Sequence, residues 1–304
     1  MHHFNALSNN LKGSLLLICG AFLLTVSVAL IKFAGERIAV VQILFLRQMG
    51  MLLMLSPSLI QNFPEAISTK RPGLQLIRVS LALVALLGGF TAVVNMPLAE
   101  ATALGFAKSF FITVFAIIIL KEKVGLYRWA AIIFGFVGVA VMLQPGAIGY
   151  SVYGLYALVG AAAAGLVMVI IRLLSKTESS SSIIAYQVFG VGLITLIPAV
   201  MLWTQPTLGE WLIILAIGVV SFFAQKANIY AYKHGEASLL ASLDYVRLLF
   251  AAVLGFLLFD QLPQLTTWIG AGIIVVAAVF TVYREARRKQ TLTRAPGGRG
   301  FNNT

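Results

Sequence analysis

Six ionisable side chains lie inside long apolar stretches of the chain, where a charge is costly. A charged residue at the centre of a bilayer costs at least ~2.5–3.5 kcal/mol on insertion scales, so each one calls for a partner or a function. Five of the six are cations, and a fixed cation beside a membrane cavity favours binding of a carboxylate or phosphate group. The six residues are Arg47, Arg78, Lys108, Lys226, Asp244 and Arg247.

Depth within the apolar stretches places four of these residues near the membrane midplane. At ~1.5 Å per residue, Lys108 and Arg247 lie roughly 15 Å from the starts of their helices, and Arg47 and Asp244 roughly 10–12 Å. Asp244 and Arg247 share a helix face and could neutralise each other. Asp244 could instead bridge to Lys108, which it matches in an internal repeat. Either pairing leaves at least one cation for an anionic substrate group, although carbonyls on neighbouring helices could satisfy Arg47 structurally.

Further polar and aromatic residues complete the expected substrate site. Arg78 and Lys226 lie near cytoplasmic helix ends, where long side chains can also snorkel to water. Gln187 occupies roughly the position in the second half that matches Arg47 in the first half. The aromatic candidates could stack on a ring of the substrate, although aromatic residues inside membranes more often serve packing. The expected substrate-binding residues are Arg47, Arg78, Lys108, Phe111, Tyr186, Gln187, Lys226, Asp244, Tyr245 and Arg247.

Membrane-spanning helices must position these residues. Apolar residues make up 60% of the chain and charged residues 11%, whereas soluble domains have roughly 45–50% and roughly 25%. The apolar stretches are continuous and ~20 residues long, which fits spanning helices and excludes the alternating strands of a barrel. Ten such stretches occur, at 13–34, 39–60, 74–95, 98–120, 126–144, 152–174, 182–203, 210–232, 237–259 and 265–284.

The distribution of Lys and Arg predicts the orientation of these spans. Fifteen of the 22 Lys and Arg residues flank one side of the predicted membrane, and only Lys32 and Arg37 flank the other. Basic flanks face the cytoplasm, so both termini are expected there, in the inner membrane. The same flanks explain the net charge of +12 without a nucleic-acid partner. The three histidines form no ligand cluster, so no metal or cofactor is expected.

The chain also repeats itself at half its length. The first copy reads AEAT at 99–102 and LKE at 120–122, and the second reads GEAS at 235–238 and FDQ at 259–261. Each half holds five predicted spans, an odd number, so the halves must have opposite orientations. Such an inverted repeat is typical of secondary transporters whose substrate site lies between the halves, near the midplane.

The stretches from Pro97 to Pro145 and from Glu236 to Tyr283 resemble the EamA domain of the drug/metabolite transporter superfamily. With the segments around Arg47 (ILFLRQMG) and Arg78 (LQLIRVSLAL), the chain is most similar to the ten-span carriers related to riboflavin and S-adenosylmethionine transporters. Asp260 departs from the family pattern, because a glutamate usually stands there. The resemblance implies a ten-helix basket with a central cavity and alternating access.

We therefore predict an all-α integral membrane protein of ten transmembrane helices, arranged as two inverted five-helix EamA repeats around a central cavity. A cytoplasmic N-tail (1–12) precedes the first repeat (13–145). The second repeat (150–284) precedes a basic, disordered cytoplasmic tail (285–304).

The predicted function is secondary-active transport of a small metabolite that bears an anionic group. The alternatives are a membrane-embedded enzyme and a non-transporting scaffold subunit. The sequence holds no H-E-x-x-H or G-x-S-x-G motif that would favour an enzyme, and no phosphate-binding loop for an ATPase. The expected partners are the metabolite and the lipid bilayer, with the protein a monomer or homodimer.

Overall fold

The computed structural model describes residues 9–61, 63, 68–121, 126–143, 152–174, 177–234, 244 and 246–293. These residues form eleven α-helices and no strand. The helices are α1 (Asn9–Ala34), α2 (Val40–Gln61), α3 (Pro72–Asn95), α4 (Leu98–Gly105), α5 (Lys108–Leu120), α6 (Leu126–Leu143), α7 (Val152–Leu174), α8 (Ser180–Met201), α9 (Leu208–His234), α10 (Val246–Phe259) and α11 (Leu265–Thr293).

Most of these helices are suited to a bilayer. Seven described segments are long and apolar enough to cross a membrane by length and composition: α1, α2, α3, α4 together with α5, α7, α8 and α9. Helix α10 and the first part of α11 are shorter apolar helices. The all-helical, multi-pass character predicted from the sequence is therefore confirmed, and the count of ten spans stays a prediction.

The fourth predicted span is not one continuous helix. Phe106 and Ala107 form a turn between α4 and α5, in which the Ala107 N–H donates to Leu104 O at 3.0 Å and the Phe110 N–H donates to Ala107 O at 3.0 Å. These bonds join residues three apart, so the backbone is locally wound more tightly than an α-helix. The sequence has no proline near this turn that would have predicted it. As a result, Lys108 is the first residue of α5.

The end of the chain also differs from the prediction. The last helix, α11, continues to Thr293, so residues 285–293, expected in a disordered tail, are helical. Residues 294–304 of that tail lie outside the described residues. The run from 285 to 293 mixes basic residues with good helix formers, so the helix of the preceding span can continue.

Helices from the two halves of the chain pack against each other in matching pairs. Helix α1 packs on α9, and α3 packs on α7. Under the internal repeat α1 corresponds to α7 and α3 to α9, so these two contacts are counterparts. The contacts of α2 with α8 and of α6 with α11 join helices that correspond to each other. The core therefore lies largely between the halves.

Glycines allow the closest of these approaches. A Cβ atom at Gly160 of α7 would lie 2.9 Å from the backbone nitrogen of Gly89 on α3. A Cβ atom at Gly138 of α6 would lie 2.8 Å from the carbonyl oxygen of Gly270 on α11. Small residues let membrane helices pack backbone to backbone, so these positions fix the distance between the halves.

Candidate substrate site

Arg47 lies in the interior of the bundle on α2 and is half-buried. Its Nε donates to Ser221 Oγ on α9 at 3.2 Å, and its Nη1 donates to Gln48 Oε1 at 3.0 Å. Its guanidinium carbon lies 5.7 Å from the ring centroid of Phe90 on α3. The Ser221 and Ser27 hydroxyls are 2.6 Å apart, which joins α1 to the same group. Arg47 is thus held by neutral side chains from several helices.

Arg78 on α3 joins this group through Gln187 on α8. Its Nη2 donates to Gln187 Oε1 at 2.7 Å, and its Nη1 donates to Ile183 O at 2.7 Å. Gln48 Nε2 donates to the Gln187 carbonyl at 3.5 Å, which connects the two arginines. Arg78 is only 2% exposed, so it does not snorkel to water. We call the set Ser27, Arg47, Gln48, Arg78, Gln187 and Ser221 the arginine network.

The arginine network contains two cations and no acidic residue. Helices α1, α2, α3 and α8 contain no Asp or Glu, and the only one on α9 is Glu210 in its first turn. Glu210 is already paired with Arg37. A charge removed from water is costly unless it is paired and hydrogen-bonded. Both guanidiniums therefore favour an anionic partner.

A second group of charges lies near the starts of α5 and α10. Arg247 Nη1 lies 3.4 Å from Asp244 Oδ2, and both side chains are half-buried. The Arg247 guanidinium carbon lies 5.2 Å from the ring centroid of Phe106, in the turn before α5. Lys108 lies close enough to interact electrostatically with both Arg247 and Asp244. We call Lys108, Asp244 and Arg247 the charge cluster.

Of the two pairings that the sequence left open, Asp244 with Arg247 or with Lys108, the charge cluster contains the first. Asp244 pairs with Arg247, three residues along the chain. Among the described residues Lys108 forms no ion pair with Asp244, so a Lys108–Asp244 bridge is absent from this conformation. One carboxylate faces two cations here, and the cluster keeps an excess positive charge.

Two of the other predicted site residues have contacts of a more ordinary kind. Phe111 packs in an aromatic group with Phe115 and Phe136, at centroid distances of 6.2 Å and 5.3 Å. Lys226 is exposed, and its ammonium lies 6.0 Å from the ring centroid of Phe222 on the same helix. These contacts match the packing and surface roles that the sequence left open for both residues.

The last two predicted residues are the tyrosines. Tyr186 is half-buried on α8, beside Gln187. Tyr245 lies outside the described residues. Their contribution to substrate binding stays a prediction.

Lys32 has a role that its position in the sequence concealed. It is 6% exposed, and its ammonium donates to the carbonyls of Val93, Val94 and Met96 at 3.0, 3.3 and 2.8 Å. These carbonyls end α3, where a cation also complements the helix dipole. Lys32 therefore ties α1 to the end of α3 and is not a loop charge exposed to water.

An outer clamp joins the α1–α2 turn to the segment before α9. Arg37 pairs with Glu210, with Nε donating to Oε1 at 2.6 Å, and also donates to Gln205 O at 2.9 Å. Gln42 is fully buried and forms two bonds of 2.9 Å with the backbone of Thr204, one in each direction. These five residues form the outer clamp.

An inner clamp occupies a similar position at the other end of the bundle. The Lys70 N–H donates to Glu178 Oε1 at 2.9 Å, and Ser182 Oγ donates to Ser68 O at 2.9 Å. Desolvation raises the pKa of Glu178. Hydrogen bonds from Lys70, Thr69 and Thr177 and the charge of Lys70 lower it, and together they outweigh desolvation, so the pKa of Glu178 lies below the ordinary value.

The two clamps lie at similar, though not identical, positions of the internal repeat, because Gln42 and Ser182 are separated by 182 − 42 = 140 positions. Gln42 and Ser182 are the third residues of α2 and α8. Their acceptors Thr204 and Ser68 are separated by 204 − 68 = 136 positions, the interval between Asp244 and Lys108. A glutamate accompanies both contacts: Glu210 is paired with the Arg37 side chain, and Glu178 accepts from the backbone N–H of Lys70.

Two described cavities lie away from both groups of charges. One of about 680 Å³ is an apolar groove between α6 and α11, lined by residues such as Phe134 and Trp268. One of about 620 Å³ lies beside Lys32, Glu36 and Asp260. Neither cavity includes a member of the arginine network or the charge cluster. The central cavity stays a prediction.

Of the neutral members of the site, Gln187 was predicted from the sequence and the others were missed. Gln48 and Ser221 bind Arg47, and Ser27 binds Ser221. A further amide, Gln75 of α3, lies outside the arginine network and is 1% exposed. Amides are polar enough to be unusual inside an apolar stretch, so their presence on α2 and α3 is a signal that a search for charges alone passes over.

Known proteins resemble the chain along most of its length. A family model described as the EamA-like transporter family matches residues 11–144 and 152–283. A pseudopaline exporter of Pseudomonas aeruginosa is 30% identical over 88% of this chain and 95% of its own length. An S-adenosylmethionine uptake transporter of Rickettsia prowazekii is 25% identical over 84% and 87%, and a riboflavin transporter of Brucella anthropi is 28% identical over 86% and 94%.

One solved crystal structure has a TM-score of 0.63 to this chain at 15% identity, over 92% of this chain and 99% of that chain. At that identity the likeness shows the fold alone. The curated relatives are transporters of small metabolites, in agreement with the sequence prediction of a transporter and not an enzyme. Because the family model matches both halves, this chain is a multi-pass membrane transporter of small metabolites and belongs to the EamA-like transporter family of the drug/metabolite transporter superfamily.

Proposed function

We propose that this transporter is secondary-active, works by alternating access, and carries a metabolite with an anionic group. The observation that carries the proposal is the arginine network, in which two guanidiniums lie inside the bundle with only neutral partners among the described residues. A substrate carboxylate or phosphate supplies the missing negative charge. The excess cation of the charge cluster adds to the same attraction.

The packing of the helices supports an inverted arrangement of ten spans. Contacts of α1 with α9 and of α3 with α7 are counterparts, and so are those of α1 with α10 and of α5 with α7. Such exchanged contacts are expected when two five-helix halves are related by a pseudo-two-fold axis. With the Lys and Arg distribution, this arrangement supports our proposal that the protein lies in the inner membrane with both termini in the cytoplasm.

The two clamps supply the two gates. The outer clamp closes the end of the bundle that carries few basic residues, and the inner clamp closes the cytoplasmic end. Opening one clamp while the other stays closed would expose the arginine network to one side of the membrane only. The similar positions of the clamps in the repeat are what two opposed, alternately opening gates require.

The relatives suggest which metabolites to test. S-adenosylmethionine, pseudopaline and riboflavin are named for them. S-adenosylmethionine bears a carboxylate that two buried arginines can bind, whereas riboflavin has none. We therefore expect amino-acid-like metabolites with a free carboxylate to be better substrates of this chain than riboflavin.

The test is transport by purified protein in vesicles, after a thermal-shift screen of metabolites that includes S-adenosylmethionine and riboflavin. We expect carboxylate-bearing compounds to raise the melting temperature and to enter the vesicles chemically unchanged, with protein-free vesicles as the control. Transport restricted to compounds without an anionic group would contradict the charge argument. Reporter fusions that place either terminus outside the cytoplasm would contradict the orientation.

A further inference from the structure

The amide of Gln75 is the most conspicuous polar group in the bundle that the site above does not use. Gln75 is 1% exposed, and neither its Nε2 nor its Oε1 has a hydrogen-bond partner among the described residues. The Nε of Arg78 is also buried and unpartnered there. The two residues are three apart on α3 and share one face of it. Most buried polar atoms in proteins are hydrogen-bonded, so three orphans at one place call for an explanation.

The orphan atoms have the geometry of a half-filled carboxylate site. The Nε–H and one Nη2–H of a guanidinium lie parallel on one edge and bind both oxygens of a carboxylate. On Arg78, Nη2 binds the single amide oxygen of Gln187 at 2.7 Å, and the neighbouring Nε has no acceptor. An amide has one acceptor oxygen and a carboxylate has two. Gln187 thus fills half of an edge that a carboxylate would fill completely.

No side chain of the surrounding helices can supply that carboxylate. Helix α3 packs against α7 and α8 at this end of the bundle, and none of the three contains an Asp or Glu. The Nε2 of Gln75 can donate a further hydrogen bond to an anion on the same face. The described helices around this face therefore leave the open edge of Arg78 available to an anion that enters from outside the chain.

The position of the pair relates it to the inner clamp. Helix α3 begins at Pro72, so Gln75 and Arg78 lie about 5 Å and about 9 Å along the helix from its cytoplasmic start. Arg78 binds the carbonyl of Ile183, and the preceding residue, Ser182, holds the inner clamp to Ser68. The pair lies directly behind the clamp and is connected to Arg47 through Gln187 and Gln48.

We propose that Gln75 and Arg78 form a first binding station for the substrate carboxylate, behind the inner clamp and separate from Arg47. The carboxylate displaces the Gln187 amide oxygen, accepts from Nε and Nη2 of Arg78 and from Nε2 of Gln75, and then passes to Arg47. This inference rests on the proposed function, because it assigns the anionic group of the substrate to a defined pair of residues.

The test places a carboxylate in the site permanently. In purified full-length protein, Gln75→Glu should raise the melting temperature by about 2–4 °C above wild type, because the new carboxylate occupies the open edge of Arg78. Gln75→Met has a similar volume and no carboxylate, and is the matched control that should give no such rise. A Gln75→Glu melting temperature at or below that of Gln75→Met would overturn the proposal.

A ligand measurement gives a second, independent outcome. Propionate should raise the melting temperature of wild type more than its neutral analogue propionamide, and the difference should vanish in Gln75→Glu, whose site is already filled. Equal effects of the two probes on wild type would also overturn the proposal. Transport separates this inference from the proposed function. If wild type transports a carboxylate metabolite and Gln75→Glu does so equally well, only the station is wrong. If wild type transports no anionic metabolite, the proposed function fails, while the melting temperatures still decide whether the site binds a carboxylate.

Discussion

Replacing Arg47 with glutamine should remove transport while leaving the fold intact. Among the residues that the structure describes, Arg47 donates to the neutral oxygens of Ser221 and Gln48 and has no anionic partner. A glutamine amide can still donate to Ser221, and the bundle loses a costly unpaired cation. We therefore expect the free energy of unfolding to change by less than about 1 kcal/mol.

The substrate-bound state should respond very differently to the same change. Removing one partner of a buried, hydrogen-bonded charge pair costs about 2–5 kcal/mol, which corresponds to a loss of affinity of about 30-fold to 4,000-fold. Arg47→Lys keeps the charge but loses the planar fork, so it should fall between wild type and Arg47→Gln.

The assay compares melting temperature and vesicle uptake for each Arg47 variant. Lys121→Asn is the matched control: it removes an exposed loop cation at a position with φ of 53°, which asparagine tolerates. The control should keep wild-type transport. Uptake by Arg47→Gln within threefold of wild type would refute the assignment, as would a collapse of its melting temperature to a value that shows Arg47 to be a structural residue.

Three further predictions concern contacts around the site. Lys32→Met should lower the free energy of unfolding by about 2–4 kcal/mol, because the carbonyls that end α3 lose a charged donor; a change below 1 kcal/mol in thermal or denaturant unfolding would contradict this. Cysteines replacing Arg37 and Glu210, in a background without the native cysteine, should be joined by a short bifunctional thiol reagent that forms reducible disulfides, because both side chains of the pair are long and two cysteines alone would not span the gap. The cross-link should stop vesicle uptake until a reductant is added, and uptake by the cross-linked protein would show that the outer clamp need not open. The pKa of Glu178 is lowered in the folded protein, so its contact with Lys70 is fully present above the ordinary glutamate pKa of 4.5 and is lost only as the pH falls through the lower folded value. The accessibility of the inner loops to a labelling reagent should accordingly stay constant from pH 7 to 5 and rise at lower pH. A rise that begins near pH 6 would point to another group.

The elements were largely predictable because each span is a local property of the sequence. A continuous apolar stretch of ~20 residues has one favourable state in a bilayer, and α1, α3 and α8 begin and end close to the predicted limits. The turn at Phe106 and Ala107 was not predictable in the same way. Hydropathy does not change across it, and only the hydrogen bonds between residues three apart reveal it.

The sequence identified the charged residues of the candidate site but not the groups that these residues contact. Arg78 was equally compatible with snorkelling, because depth along a helix does not tell which face points inward; the contact with Gln187, 109 positions away in the chain, decides it. Lys32 was counted among the outer flanking charges for the same reason. Its acceptors are carbonyls at the end of another helix, and only the packing of α1 beside α3 brings them together.

An anion is bound more favourably by the arginine network than by the charge cluster. In the charge cluster Asp244 already neutralises one cation, so an incoming anion must compete with a carboxylate that is part of the protein. In the arginine network the competitors are amide, hydroxyl and carbonyl oxygens, which bind a guanidinium more weakly than a carboxylate does. A substrate anion therefore gains more free energy at Arg47 and Arg78 than at Arg247. Under the alternating-access mechanism proposed above, the charge cluster is better suited to a step in which the halves separate, because Lys108 and Asp244 occupy matching positions of the two repeats, 136 residues apart, and can exchange partners.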